Sequence, residues 1–281
     1  MAINNLSLKS IFLRFRWKIS LTWLLVVLEA GFFLLFPLTM GKAIDDFLQK
    51  DMTGLVWLSV LALLSLLVGA GRRYYDTRIY SKIYAKISPE LVDREKQRNS
   101  DVSVISARAN LATEFVEFLE DSFPYIVESF IGLAGTIIII FALNFKIFVA
   151  VVAATLLIGI IYALTSNKTY SLNSGFNEEI EKQVTVLSTN DKPAIRNHFN
   201  NVTKWSIKLS DLETTNFSIS WIFLMGVLVY SIVATIQNGI TAHGQIFAIV
   251  MYVFNYIEAV IALPLSYQQV IRLKEISNRL N

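Results

Sequence analysis

Cysteine is absent from this 281-residue sequence. That removes disulfide scaffolds, thiolate metal sites and cysteine nucleophiles, and leaves the redox compartment unread. Charge is scarce as well: 17% of residues are Asp, Glu, Lys or Arg, against roughly 25% in an ordinary globular domain. Apolar side chains take the place of charge, at 54% of residues with a mean hydropathy of +0.52, more than a soluble fold of this length can bury. A wholly water-soluble enzyme is therefore excluded. The net charge of +3 is too small to imply a partner; the placement of the 25 Lys and Arg residues carries more information.

The apolar residues fall in six blocks with almost no charge: Leu21–Met40, Leu55–Gly71, Tyr125–Leu143, Ile147–Leu164, Phe217–Ile236 and Ile246–Leu265. Each is close to the ~20 residues that cross a ~30 Å hydrocarbon core at 1.5 Å per residue. In lipid the backbone must satisfy its own hydrogen bonds. Blocks of helical length without a ~10-residue alternation exclude a β-barrel and predict six transmembrane helices in an all-α, polytopic membrane protein. The first block is too long for a signal-peptide core and lacks a convincing cleavage site, so it is expected to stay in the mature protein. Ahead of it, Ser7 to Lys18 mixes Ile11, Phe12, Phe15 and Trp17 with Lys9, Arg14, Arg16 and Lys18. That composition suits a helix lying on the membrane surface, and equally a plain basic flank.

Short connections follow the first, third and fifth blocks, whereas 72–124 and 165–216 are long. Four basic residues precede the first block, nine lie in the first long connection, six in the second and three after the last block, 22 of the 25. Only Lys42, Lys50 and Lys146 fall on the other side. The positive-inside rule then places both termini and both long connections in the cytoplasm, most naturally at a bacterial inner membrane. Neither long connection reads as disordered. Arg78, Lys82 and Lys86 form one helical stripe; Glu114, Glu117 and Asp121 form an acidic one; Phe176–Val186 and Pro193–Leu212 carry helical spacing, with Asn190, Asp191, Lys192 and Pro193 as a turn between them. The spans are expected to continue as helices into the cytoplasm and reverse there. With no short-period repeat and no low-complexity linker, residues 1–281 read as a single six-helix transmembrane domain.

Local sequence adds a resemblance. Gly41-Lys42-Ala43-Ile44-Asp45 after the first span, Ser106-Ala107-Arg108 in the first cytoplasmic connection, and Ile240-Thr241-Ala242-His243-Gly244 followed by Tyr252, Pro264-Leu265 and the tail Ile276 to Leu280 stand in the order found in ABC exporters. With the pattern of six spans, they resemble the transmembrane domain of ABC exporter half-transporters over nearly the whole chain. The resemblance implies a domain-swapped homodimer with a pathway between the chains. It also implies an ATPase that, here, the chain does not supply: a phosphate cradle needs Gly-Lys-Ser/Thr, and the only Gly-Lys, at Gly41-Lys42, is followed by Ala43. The chain is expected not to hydrolyse ATP and to need no cofactor. Either a separate ATPase subunit docks on the cytoplasmic reversals, near Ser106, Arg108, Asp191 and Lys192, or another energy source is used. Some proteins resembling ABC exporters lack the ATPase and take up peptides with the proton gradient.

Ionisable residues inside spans are expensive and point to function. Glu29 and Glu258 are placed roughly 15 Å and roughly 18 Å into their spans at 1.5 Å per residue, both near the midplane, with Asn255 one turn from Glu258. A carboxyl group away from water resists ionisation, so these two could hold a proton or face a cationic solute. The plainer alternative is interhelical hydrogen bonding by neutral acids. Glu128 with Arg72 and Arg73 is expected near the inner mouth, as an ion-paired gate or as arginines reaching the headgroups. His198 and His243 lie on opposite sides of the membrane, which excludes a shared metal, and no Ser, His and Asp set supports catalysis. Trp17, Trp23, Trp57, Trp205 and Trp221 read as interfacial anchors, and Tyr74, Tyr75, Tyr80 and Tyr84 as packing residues. Arg94, Lys96 and Arg98 alternate with Asp93 and Glu95, so nucleic acid is not an expected partner. The expected function is a transporter subunit moving an amphipathic solute by alternating access. The alternatives are the membrane subunit of an exporter whose ATPase is another polypeptide, and a non-transporting scaffold.

Overall fold

The computed structural model describes residues 8–98, 101–189 and 191–280, and all regular structure among them is helical. Eight α-helices follow in order: α1 (Leu8–Leu48), α2 (Thr53–Gln97), α3 (Val102–Glu117), α4 (Phe123–Leu143), α5 (Phe145–Glu181), α6 (Gln183–Ser188), α7 (Lys192–Gln237) and α8 (His243–Leu280). A π-helical turn, Phe118–Ser122, joins α3 to α4 without a break in the chain's course. Six stretches are long and apolar enough to cross a membrane: Phe12–Leu48, Thr53–Gln97, Thr113–Leu143, Phe145–Ser188, Lys192–Gln237 and His243–Pro264. Each of the first five is longer than a bilayer core requires. The excess is the helical extension expected from the amphipathic spacing of the long connections.

Connections between spans are tight where the sequence places the outer face. Lys50 adopts a left-handed conformation (φ 64°) in the turn after α1, and the Asp51 carboxylate accepts the Thr53 backbone N–H at 2.9 Å and its hydroxyl at 2.6 Å, starting α2. Asn144 alone separates α4 from α5. Its backbone is extended, and its side-chain oxygen accepts the N–H groups of Lys146 (3.1 Å) and Ile147 (3.4 Å), capping α5. Gly239 takes a positive φ of 73° between α7 and α8, where a side chain would be strained. At its C-terminal end α2 carries Arg94 and Lys96, which complement the negative pole of the helix.

At the N-terminus, residues from Leu8 onward form one continuous helix with the first span. Two contacts hold this segment in line: Phe12 and Phe15 pack on a buried cluster, and Arg14 makes a two-pronged ion pair with Glu90 of α2 at 2.7 and 2.9 Å.

The chain divides into two compact units, Met1–Leu143 with Thr235–Asn281, and Asn144–Ala234. In the first, a buried apolar cluster forms where Ile19 of α1, Ile79, Tyr80, Ile83, Ile87 and Leu91 of α2 meet Phe115, Val116, Phe118 and Leu119. The α2 residues recur every three to four positions, one face of a helix. The expected stripe Arg78, Lys82 and Lys86 is the exposed face opposite. Nearer the outer side, Val26, Ala30, Ile140, Ile249, Tyr252, Val253 and Tyr256 are buried. Elsewhere large apolar side chains stand exposed along the spans, among them Leu63, Leu66, Leu67 and Ile138. Such a belt is costly in water and suited to lipid. The second unit is the hairpin of α5 and α7. Within it Asn216 donates to the Thr165 hydroxyl at 2.9 Å, and the Trp205 ring lies where a side chain on Gly175 would stand.

Candidate functional site

The polar centre of the first unit is Arg72 of α2, a guanidinium with 11% of its side chain exposed. Its Nε donates to Glu29 Oε2 of α1 at 2.5 Å, one Nη lies 3.5 Å from Glu128 Oε1 of α4, and the other lies 3.5 Å from Asp76 Oδ2 one turn along α2. Three helices thus send a carboxyl group to one guanidinium. An uncompensated charge here would be expensive, and a paired one needs close hydrogen bonds as well as attraction. Only the Glu29 contact is short.

The pair draws together residues that the sequence set at different depths. From the contact of Ala43 with Gly54 near the outer side, Glu29 lies fourteen residues inward along α1 and Arg72 eighteen along α2. At 1.5 Å per residue these are about 21 Å and about 27 Å, a gap that an arginine side chain spans by reaching back toward the outer side. Gly69 makes room: a Cβ there would stand 2.9 Å from Glu29 Oε1. Glu29 is therefore an ion-paired residue, joined to Arg72 and through it to Glu128. Arg73, expected alongside Arg72, points to the exposed side of α2.

Below Arg72 the same face of α2 carries two residues whose roles sequence reasoning did not foresee. Asp76 has 3% of its side chain exposed, and neither carboxyl oxygen has a hydrogen-bond partner. Tyr80, read as packing, is fully buried with an unpartnered hydroxyl. The Thr22 hydroxyl of α1, also fully buried, faces both. Trp23, expected at the interface, is instead stacked between Phe12 (4.9 Å) and Phe123 (4.6 Å), while Trp17 and Trp57 remain exposed. Tyr74 is exposed and lies under the Arg78 guanidinium at 3.2 Å.

On α8, Asn255 is half-buried and Glu258 exposed within the apolar length of the span. Of the residues expected to dock a partner, Ser106, Asp191 and Lys192 are exposed; Asn190 and the Arg108 side chain lie outside the described residues. In the second unit His198 is buried, not solvated in a polar stretch, and its Nδ1 lies 3.1 Å from Glu179 Oε1. Burial pushes the Glu179 carboxyl up, but the bonds to His198 and to Lys182 (3.3 Å) outweigh it and hold the group below its usual range.

The motif residues acquire physical roles at the outer end. Gly41 of α1 and Gly244 of α8 touch backbone to backbone, so that a side chain on either would collide with the other's carbonyl. Asp45 accepts the Gly244 N–H at 2.7 Å, supplying the cap that Ala242 cannot. Tyr252 of α8 donates to the Leu34 carbonyl at 2.6 Å, in the part of α1 where Pro37 has already removed a backbone donor.

No curated protein matches the chain. A family model described as ABC transporter transmembrane region matches residues 8–243, which include five complete spans and every residue around Arg72. With six membrane-crossing helices and that match over most of its length, the chain is an integral membrane transporter subunit and belongs to the family of ABC transporter transmembrane regions.

Proposed function

We propose that this subunit moves an amphipathic solute by alternating access as a homodimer in a bacterial inner membrane, with both termini cytoplasmic, and that protons drive it. The observation that carries the proposal is the imbalance around Arg72, where one guanidinium meets the carboxyl groups of Glu29, Glu128 and Asp76. Such an excess of acid over base inside a bundle is relieved by protonation or by a bound cation. Changing either one alters which helices Arg72 ties together. Glu258 supports the dimer: a carboxyl group exposed within a span needs water or a second protein surface, since lipid would solvate it poorly. The separate packing of Asn144–Ala234 supports an exchange of this hairpin between chains.

A second reading is favoured by the family match itself. Its members are the membrane regions of ABC transporters, and the exposed reversals around Ser106 and around Asp191 and Lys192 would suit an ATPase subunit. Nothing in these 281 residues makes a phosphate cradle, so ATP hydrolysis would come from elsewhere. Transport in sealed vesicles under an imposed proton gradient without ATP separates the two. Uptake of a labelled amphipathic peptide that is lost in Glu29→Gln and Glu258→Gln supports proton drive. Uptake only when an ATPase subunit and ATP are added refutes it.

A further inference from the structure

We propose that Asp76 is a proton-binding site: its carboxyl group is neutral in the arrangement seen here, and release of the proton draws the Arg72 guanidinium from Glu29 to Asp76, loosening α1 from α2. The role in coupling rests on the proton-driven reading above; the existence of the site does not.

The argument starts from the neighbours of Asp76 on each element packed against it. From α1 come Thr22 and, through Arg72, Glu29. From α2 itself come Arg72, Tyr75 and Tyr80. The π-helical turn brings Glu120 near, and α4 brings Glu128 through Arg72. Arg72 is the only cation in that set, and its short hydrogen bond goes to Glu29, leaving Asp76 at 3.5 Å. Glu120 has a donor of its own, the Thr77 hydroxyl at 3.0 Å. Asp76 is served less well: its side chain is 97% enclosed, and the Arg72 guanidinium at 3.5 Å and the Thr22 hydroxyl face it without a well-formed hydrogen bond to either oxygen. An ionised carboxylate enclosed in this way, with its one cation held closer to Glu29 and with further acids beside it, is a costly state for this group.

A neutral acid fits the same surroundings. The Thr22 hydroxyl donates toward the Lys18 carbonyl, at 3.5 Å, which leaves its oxygen free to accept. It faces both Asp76 and Tyr80, whose unpartnered hydroxyl is fully buried. A carboxyl O–H and a phenol O–H can both be accepted there. The site is closed, so a proton is the ligand of the right size.

Deprotonation follows simply. The O–H bond of the Asp76 carboxyl group breaks, the proton passes to water, and the new charge lies one helical turn from Arg72. Arg72 can then pair within α2, at i and i+4, and Glu29 loses its short bond. The tie between α1 and α2 becomes a tie within α2.

The test is infrared spectroscopy of the full chain in lipid, following the carbonyl stretch of neutral carboxylic acids with pH and in D2O. At neutral pH we expect a band that shifts in D2O, disappears in Asp76→Asn and persists in Glu29→Gln and Glu258→Gln. Thr22→Val removes the acceptor and should move the band without abolishing it. Should Asp76→Asn fail to fold, Asp76→Glu must shift both the frequency and the titration midpoint. A band unchanged by every substitution at position 76, or no neutral acid at neutral pH, overturns the proposal. Vesicles that show no proton-driven uptake while the Asp76 band is intact refute the coupling and leave the site; uptake with no Asp76 band does the reverse.

Discussion

Arg72 and Glu29 are unequal partners, and substitution separates them. Removing the guanidinium leaves Glu29, Glu128 and Asp76 facing one another with no cation among them, whereas replacing Glu29 by its amide leaves Arg72 two further carboxyl groups. Breaking a fully buried pair by removing one side costs about 3–5 kcal/mol; Glu29 keeps 21% exposure, so about 2–3 kcal/mol is expected for Arg72→Ala and clearly less for Glu29→Gln. Unfolding midpoints in denaturant measure both, and equal losses would contradict the inequality. Arg14 and Glu90 make a milder, more exposed case. The hydrogen bond from Arg14 holds the Glu90 carboxyl below its usual range. Its stabilisation is therefore present above the ordinary carboxylate range and disappears as pH falls through the lowered value. For so exposed a pair the contribution is about 0.2–1 kcal/mol, and the difference between Arg14→Ala and the parent should close between about pH 5 and about pH 3. At this scale the sequence showed that acids within spans matter, because the cost of charge in lipid follows from position alone. It did not show Asp76, which lies beyond the apolar block and draws its importance from burial. The one signal was indirect: with Arg78, Lys82 and Lys86 facing out, the opposite face of the helix runs through Arg72, Asp76 and Tyr80.

The helices show a second limit. Span number, helical extensions and the helix breaks within the long connections were legible because length and period are local properties. The junction of α1 with α8 was not, since it joins residues two hundred positions apart. There Gly41, Gly244 and Asp45 fasten the outer ends of two helices. Gly244→Ala must push the backbones apart at an expected cost of about 1–3 kcal/mol, and Asp45→Ala removes a cap worth about 1 kcal/mol. A disulfide engineered between the outer ends of α1 and α8 should form more slowly in Gly244→Ala than in a glycine-retaining control; equal rates would mean that the close approach is dispensable. The π-helical turn was equally hidden. It carries Asp121 of the expected stripe together with Glu120, which lies outside that stripe and accepts from the Thr77 hydroxyl of α2.

At the scale of the molecule, composition decides the solvent and the family match decides the class. Six apolar helices place the chain in a membrane, and residues 8–243 place it among ABC transporter transmembrane regions. The division into two compact units was beyond the sequence, because no linker or change in composition marks Asn144 or Ala234. What drives transport is the central claim, and simultaneous recording of internal pH and solute uptake in vesicles tests it most directly. The account predicts that proton influx accompanies uptake of a labelled amphipathic peptide, and that both vanish in Arg72→Gln and Glu29→Gln. Uptake that proceeds with no movement of protons, or that is untouched by both substitutions, would contradict it.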